Sequence, residues 1–84
     1  MKEERRMPYL EYDPDADAAY ITFRDAPWDH MDILDDYRNI DYAPDGGLVG
    51  VELLYVSKGV NLDGLPRANE IARLLETEHI KIFA

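Results

Sequence analysis

The sequence predicts a small α+β domain: an antiparallel sheet of four to five strands built from two hairpins, with one C-terminal helix packed on one face. Three observations lead there. Residues 40–57, IDYAPDGGLVGVELLYVS, hold a Pro- and Gly-containing turn between two extended segments. Residues 18–24 alternate apolar and other side chains with the period of two of a strand. Residues 66–76 place their apolar positions at helical spacing instead. Eighty-four residues form a single domain.

Residues 1–8 alternate in charge sign without apolar periodicity and read as a frayed arm ending at Pro8. Residues 9–12 form a short strand. It stops at Asp13-Pro14, because the residue before proline favours extended geometry and proline has no N–H for a ladder. After a turn over 13–17, residues 18–24 resume as a strand. Ala19, Ile21 and Phe23 share one face, and Tyr20, Thr22 and Arg24 the other. Residues 25–32 read as a loop containing Pro27, Trp28 and His30. Within 33–42, Asp35, Asp36 and Asp41 disfavour a buried strand, whereas Tyr37, Ile40 and Tyr42 favour one from about residue 36 onward.

Pro44 presets φ at the first central position of the next turn, and Gly46 and Gly47 permit positive φ where the chain reverses. The outgoing strand is apolar on both faces, with Val49, Val51, Leu53 and Tyr55 on one and Leu48, Leu54 and Val56 on the other. That is the pattern of a central strand covered twice. A linker over 58–65 leads to Pro66, which suits the first turn of a helix. Ala68, Ile71, Ala72, Leu74 and Leu75 then form a stripe opposite Arg67, Glu70, Arg73 and Glu76, with Glu70–Arg73 and Arg73–Glu76 as i,i+3 ion pairs. Residues 80–83 alternate again as a short closing strand.

One helix about 10 Å wide covers roughly two strands and one face of a sheet. The second apolar side of residues 48–56 needs other shelter, as do six tyrosines and one tryptophan. The expectation is a homodimer, sheet against sheet or with exchanged strands.

Eighteen acids against nine Lys and Arg give a net charge of −9, most of the acids lying before residue 43. No cluster of Lys and Arg is present for nucleic-acid phosphates, so direct nucleic-acid binding is not expected. The charge suits a basic protein partner, or serves only to keep a small protein soluble. No cysteine is available for a disulfide or thiolate site. No apolar run approaches the ~20 residues of a membrane span, and MKEERRMPY lacks the apolar core of a signal peptide. A cytoplasmic protein is expected.

Asp13, Asp15 and Asp17 have the D-x-D-x-D opening of a calcium loop, but the glycine position is Ala18 and the bidentate Glu position is Arg24. A turn whose Asp side chains accept local N–H bonds explains them better. His30 between Asp29 and Asp32 could be a general base or an ordinary surface histidine. His79, at the expected helix C-terminus, suits the helix dipole. Glu52 lies inside an apolar strand, where a carboxylate is costly unless paired or solvated. Arg24 and Arg38 are its expected partners, in an ion pair fixing strand register or a dimer contact. The alternative is an enzyme or small-ligand-binding domain using Glu52 with Asp41 or His30 at a subunit cleft. No Ser-His-Asp elbow, phosphate loop or H-E-x-x-H motif occurs. No residue is therefore assigned as catalytic, cofactor-binding or metal-binding, and no cofactor is expected.

Tyr12-Asp13-Pro14-Asp15-Ala16-Asp17-Ala18-Ala19-Tyr20-Ile21, followed by Asp41-Tyr42-Ala43-Pro44-Asp45-Gly46-Gly47-Leu48-Val49-Gly50-Val51-Glu52-Leu53-Leu54, resembles domain-of-unknown-function family 2283. The family pattern is similar to Y-D-x-x-A-D-A-x-Y-I, then D-x-D-G-x-h-h-G-h-E-h-L with h apolar, and the likeness covers roughly residues 9–57. It implies a short prokaryotic β-rich protein with no assigned activity, cofactor or catalytic residues. Some members are encoded beside small toxin-like proteins, which implies an acidic, antitoxin-like interaction module. At the motif positions, Asp17, Gly50 and Glu52 fit turn, close-packing and register roles.

Overall fold

The alternating segments join into one antiparallel sheet. In a computed structural model, which describes residues 6–83, five strands are formed: β1 (Tyr9–Asp13), β2 (Ala18–Thr22), β3 (His30–Ile33), β4 (Arg38–Tyr42) and β5 (Leu48–Leu54). Their order is β1-β2-β5-β4-β3, so the apolar β5 is the central strand. A single-turn 3-10 helix (Val56–Lys58) and one α-helix, α1 (Ala68–Thr77), complete the chain. α1 buries Ile71 and Leu75 in one core with Ala19, Ile21, Val51 and Leu53. Burying such side chains is the main force holding the helix to the sheet. No helix among the described residues is long and apolar enough to cross a membrane. The arm expected over 1–8 falls mainly on residues 1–5, outside the described residues.

Several expectations are corrected. Residues 30–32, read as loop, form β3 together with Ile33, an edge strand exposed at every position. It pairs with β4 through a turn over 34–37, where the Leu34 N–H donates to Arg38 O at 2.9 Å. The hairpins therefore number three rather than two. Residues 80–83 do not join the sheet. A lone parallel bridge links Ile82 to Val60, held by Val60 N–H to Lys81 O at 2.8 Å. The helix begins at Ala68 rather than Pro66, because Arg67 is left-handed (φ 53°) and its carbonyl accepts the N–H groups of Glu70 and Ile71. Glu70 pairs with Arg67, at 2.6 Å, rather than with Arg73.

The second face of β5 also differs from its expected character. Tyr55 is left-handed at φ 55° and ends the strand, turning Val56 into the core, where it is 1% exposed. Away from α1, β5 shows Gly50, Glu52 and Leu54, of which only Leu54 is large and apolar. A bulge opposite Asp41 and Tyr42 breaks the alternation, and Leu48 packs with Tyr42 against the core. Leu54 is half-buried. The apolar side thought to need a second cover is thus a mixed, largely polar one.

Candidate functional site on the helix-free face

Strand register decides which side chains meet. Tyr20 and Asn39 both lie opposite Glu52, and Asp41 lies opposite Gly50. Alternation places all of these on the side of the sheet away from α1. Tyr20 reaches from β2 across β5 to β4, its hydroxyl donating to Asp41 Oδ2 at 2.8 Å. That path runs over Gly50, where an added Cβ would meet the end of the Tyr20 ring and would lie 2.8 Å from Ile21 O. Beside this lock, Asn39 Nδ2 donates to Glu52 Oε1 at 2.8 Å. Asp41 is 6% exposed, and its Oδ1 is buried without a hydrogen-bond partner.

Burial raises the Tyr20 hydroxyl above its ordinary pKa of 10, and its hydrogen bond to the Asp41 carboxylate and the nearby Glu52 charge raise it further. Folded protein therefore keeps the phenolic proton at a pH where unfolded protein has lost it. Stability conferred through this group is intact below pH 10 and is lost as pH rises beyond that. Chemical denaturation between about pH 9 and 11.5 should show this alkaline loss in the wild type and a flatter limb in Tyr20→Phe, relative to each protein's value at pH 8. Identical slopes would mean that Tyr20 does not carry the effect.

The expected partners of Glu52 are engaged elsewhere. Arg24 lies beyond the end of β2 and forms a bidentate pair with Asp45 of the β4–β5 turn (2.9 Å for both contacts), which holds the Asp45 carboxyl down at a pKa of about 2. Arg38 faces the α1 side, opposite Leu53 in register. There it binds Asp35 Oδ2 (2.8 and 3.0 Å) and the carbonyls of Asn61 (2.8 Å) and Asp63. Glu52 thus has an amide partner where a salt bridge was expected.

His30 does not join Glu52 and Asp41. It lies opposite Tyr42, stacks on that ring (centroids 5.4 Å apart), and has Nδ1 3.1 Å from Asp29 Oδ2. Since Tyr42 and Asp41 point to opposite sides of β4, His30 belongs to the other face. Asp13 Oδ1 accepts the N–H groups of Asp15 and Ala16 at 3.1 and 3.2 Å, a local turn. Asp17, left-handed at φ 54°, accepts from Ser57 N (2.8 Å) and Ser57 Oγ (2.7 Å), tying the first hairpin to the end of β5. Among the described residues no group of three His, Asp or Glu is placed to hold a metal ion. His79, also left-handed, follows directly on the C-terminal end of α1.

A groove of about 380 Å³ runs along the β1–β2–β5 side of this face. Glu11, Asp13 and Glu52 line it together with Tyr12 and Tyr20, and no lysine or arginine is among its described lining residues. Tyr20 and Asn39 were not singled out from the sequence as site residues, yet they connect Asp41 and Glu52 to their neighbours. The spacing Tyr20 – Gly50 – Glu52, spread over strands far apart in the chain, becomes meaningful only with the β2–β5 register in hand.

A family model described as "Protein of unknown function (DUF2283)" matches residues 10–57, more than half of the chain, and this span contains Tyr20, Asn39, Asp41, Gly50 and Glu52. No curated protein and no solved structure matches the chain.

Proposed function

We propose that this chain, which belongs to the DUF2283 family, is an acidic, non-catalytic protein-interaction module that takes a lysine or arginine of a basic protein partner into the groove beside Glu52. The observation that carries this reading is the groove's lining: the carboxylates Glu11, Asp13 and Glu52 on one face with the Tyr20 ring, and the arginines Arg24, Arg38 and Arg67 each bound to an acid elsewhere. A cationic side chain can lay its methylene stem along the Tyr20 ring and its charge against Glu52, gaining cation–π and charge-assisted contacts together. The net charge of −9 attracts such a partner from a distance. An antitoxin that shields a small basic toxin belongs to this class. A cysteine-free chain suits that work in the cytoplasm.

The test is capture from native lysate on the immobilised protein. A basic protein should be retained at low salt and released near about 0.5 M salt, where screening is strong. Glu52→Gln, which keeps an acceptor for Asn39, should weaken its retention by at least about tenfold. Equal retention by Glu52→Gln, or capture of an acidic partner alone, overturns the reading.

A further inference from the structure

We propose that β3 is the seam of a homodimer in which two copies pair their β3 strands antiparallel about Met31, joining two sheets into one of ten strands. The inference stands apart from the groove, which lies on the opposite side of β5.

The backbone leaves this edge able to pair. The Leu54 N–H donates to Tyr37 O, so odd-numbered residues of β4 bond toward β5 and even-numbered ones toward β3. Leu34 N–H donating to Arg38 O sets the same parity on the other strand. Within β3, His30 and Asp32 therefore bond inward to Tyr42 and Ile40, and the N–H and C=O of Met31 and Ile33 point outward. β3 is the last strand in the order, and all four of its residues are exposed. Ile33 is 75% exposed and Met31 41%, with Trp28 and Leu34 also exposed at the two ends. An open edge carrying large apolar side chains is a template for another strand.

Side-chain chemistry selects the partner and the register. A two-fold axis through Met31 makes the Met31 pair of the two copies exchange both outward hydrogen bonds. It also sets His30 of each copy opposite Asp32 of the other, twice, as an isologous contact requires. These imidazole–carboxylate pairs fall at the non-hydrogen-bonded positions, where cross-strand side chains are closest. His30 Nδ1 is already beside Asp29, which leaves Nε2 for the carboxylate across the seam. Shifting the axis to Asp32 would set Asp32 against Asp32, so like charges disfavour that register. On the helix-free side, the two Met31 and two Ile33 side chains become one apolar stripe.

Light scattering and sedimentation on the full chain should give twice the 9.7 kDa chain mass at micromolar concentration. Ile33→Lys and Met31→Pro should each weaken association at least about tenfold while leaving the circular dichroism spectrum intact, because neither removes a bond to β4. The chain has no cysteine, so Met31→Cys can report the register. Hydrogen-bonded partners sit about 5.5 Å apart between Cα atoms, within disulfide range. Mild oxidation should link Met31→Cys chains efficiently and Asp32→Cys chains poorly. A monomeric wild type, a dimer undisturbed by both seam variants, or preferential linking through position 32 would each overturn the proposal.

Discussion

Arg38→Ala is expected to destabilise the protein by about 3 kcal/mol or more, a drop of roughly 15 °C in Tm for a chain of this size. Arg38 is 8% exposed and leaves β4 on the side facing α1. Its guanidinium holds three groups that are distant in sequence or exposed to competition from water: the Asp35 carboxylate and the carbonyls of Asn61 and Asp63. Alanine orphans both carbonyls and opens a hole under residues 61–63. The Asp35 part contributes less, since that carboxylate is 39% exposed and is solvated once released. Folding stabilities of such domains lie near 4–13 kcal/mol, so the loss is a large share of the total. Arg38→Lys should recover less than half of it, because one ammonium cannot reproduce the planar fork. Thermal melts of the two variants decide the point. A loss under about 1 kcal/mol in Arg38→Ala would show that the linker is held by packing alone.

Gly50→Ala is expected to cost about 3–4 kcal/mol although it adds a single methyl to an extended strand. The methyl would lie 2.8 Å from Ile21 O, which the β2–β5 ladder fixes, and would also strike the end of the Tyr20 ring. Relief requires Tyr20 to swing away, which breaks its bond to a buried carboxylate that already has one oxygen without a partner. A double-mutant cycle isolates this coupling. In a Tyr20→Ala background the ring is gone, so Gly50→Ala should cost at least about 1 kcal/mol less than in the wild type. Strict additivity in urea titrations would mean that the ring does not exclude the methyl.

The central place of β5 was legible because an apolar, β-branched run reads the same in any context. The helix was legible because Ile71 and Leu75 fall on one stripe. β3 was not, since its alternation of Met31 and Ile33 with His30 and Asp32 lasts only four residues and follows Pro27 in an acid-rich stretch. Assigning Arg38 to Glu52 failed on parity: Arg38 lies opposite Leu53 and points to one side of the sheet, while Glu52 points to the other. Its true acceptors, Asn61 and Asp63, lie more than twenty positions away in a linker without periodicity. The two-faced apolar strand failed at two residues, because neither the left-handed turn at Tyr55 that turns Val56 inward nor the bulge that sends Leu48 to the core has a signature in residue type. Within the candidate site, Glu52 stood out as a lone acid among valines and leucines. Tyr20 did not, since a tyrosine on a half-buried strand is ordinary.

Three of the four seams in the sheet join strands that are neighbours along the chain; the β2–β5 seam does not, and both β3 and β4 intervene. Closing it therefore carries most of the loop-entropy cost of folding. The β3–β4–β5 meander can assemble from short-range contacts beforehand, and the first hairpin likewise. Ile21 and Val51, each with no exposed surface, face one another across that late seam. Until it closes, α1 has only half a platform to rest on, so the helix and the long-range pairing are expected to consolidate together in the rate-limiting step.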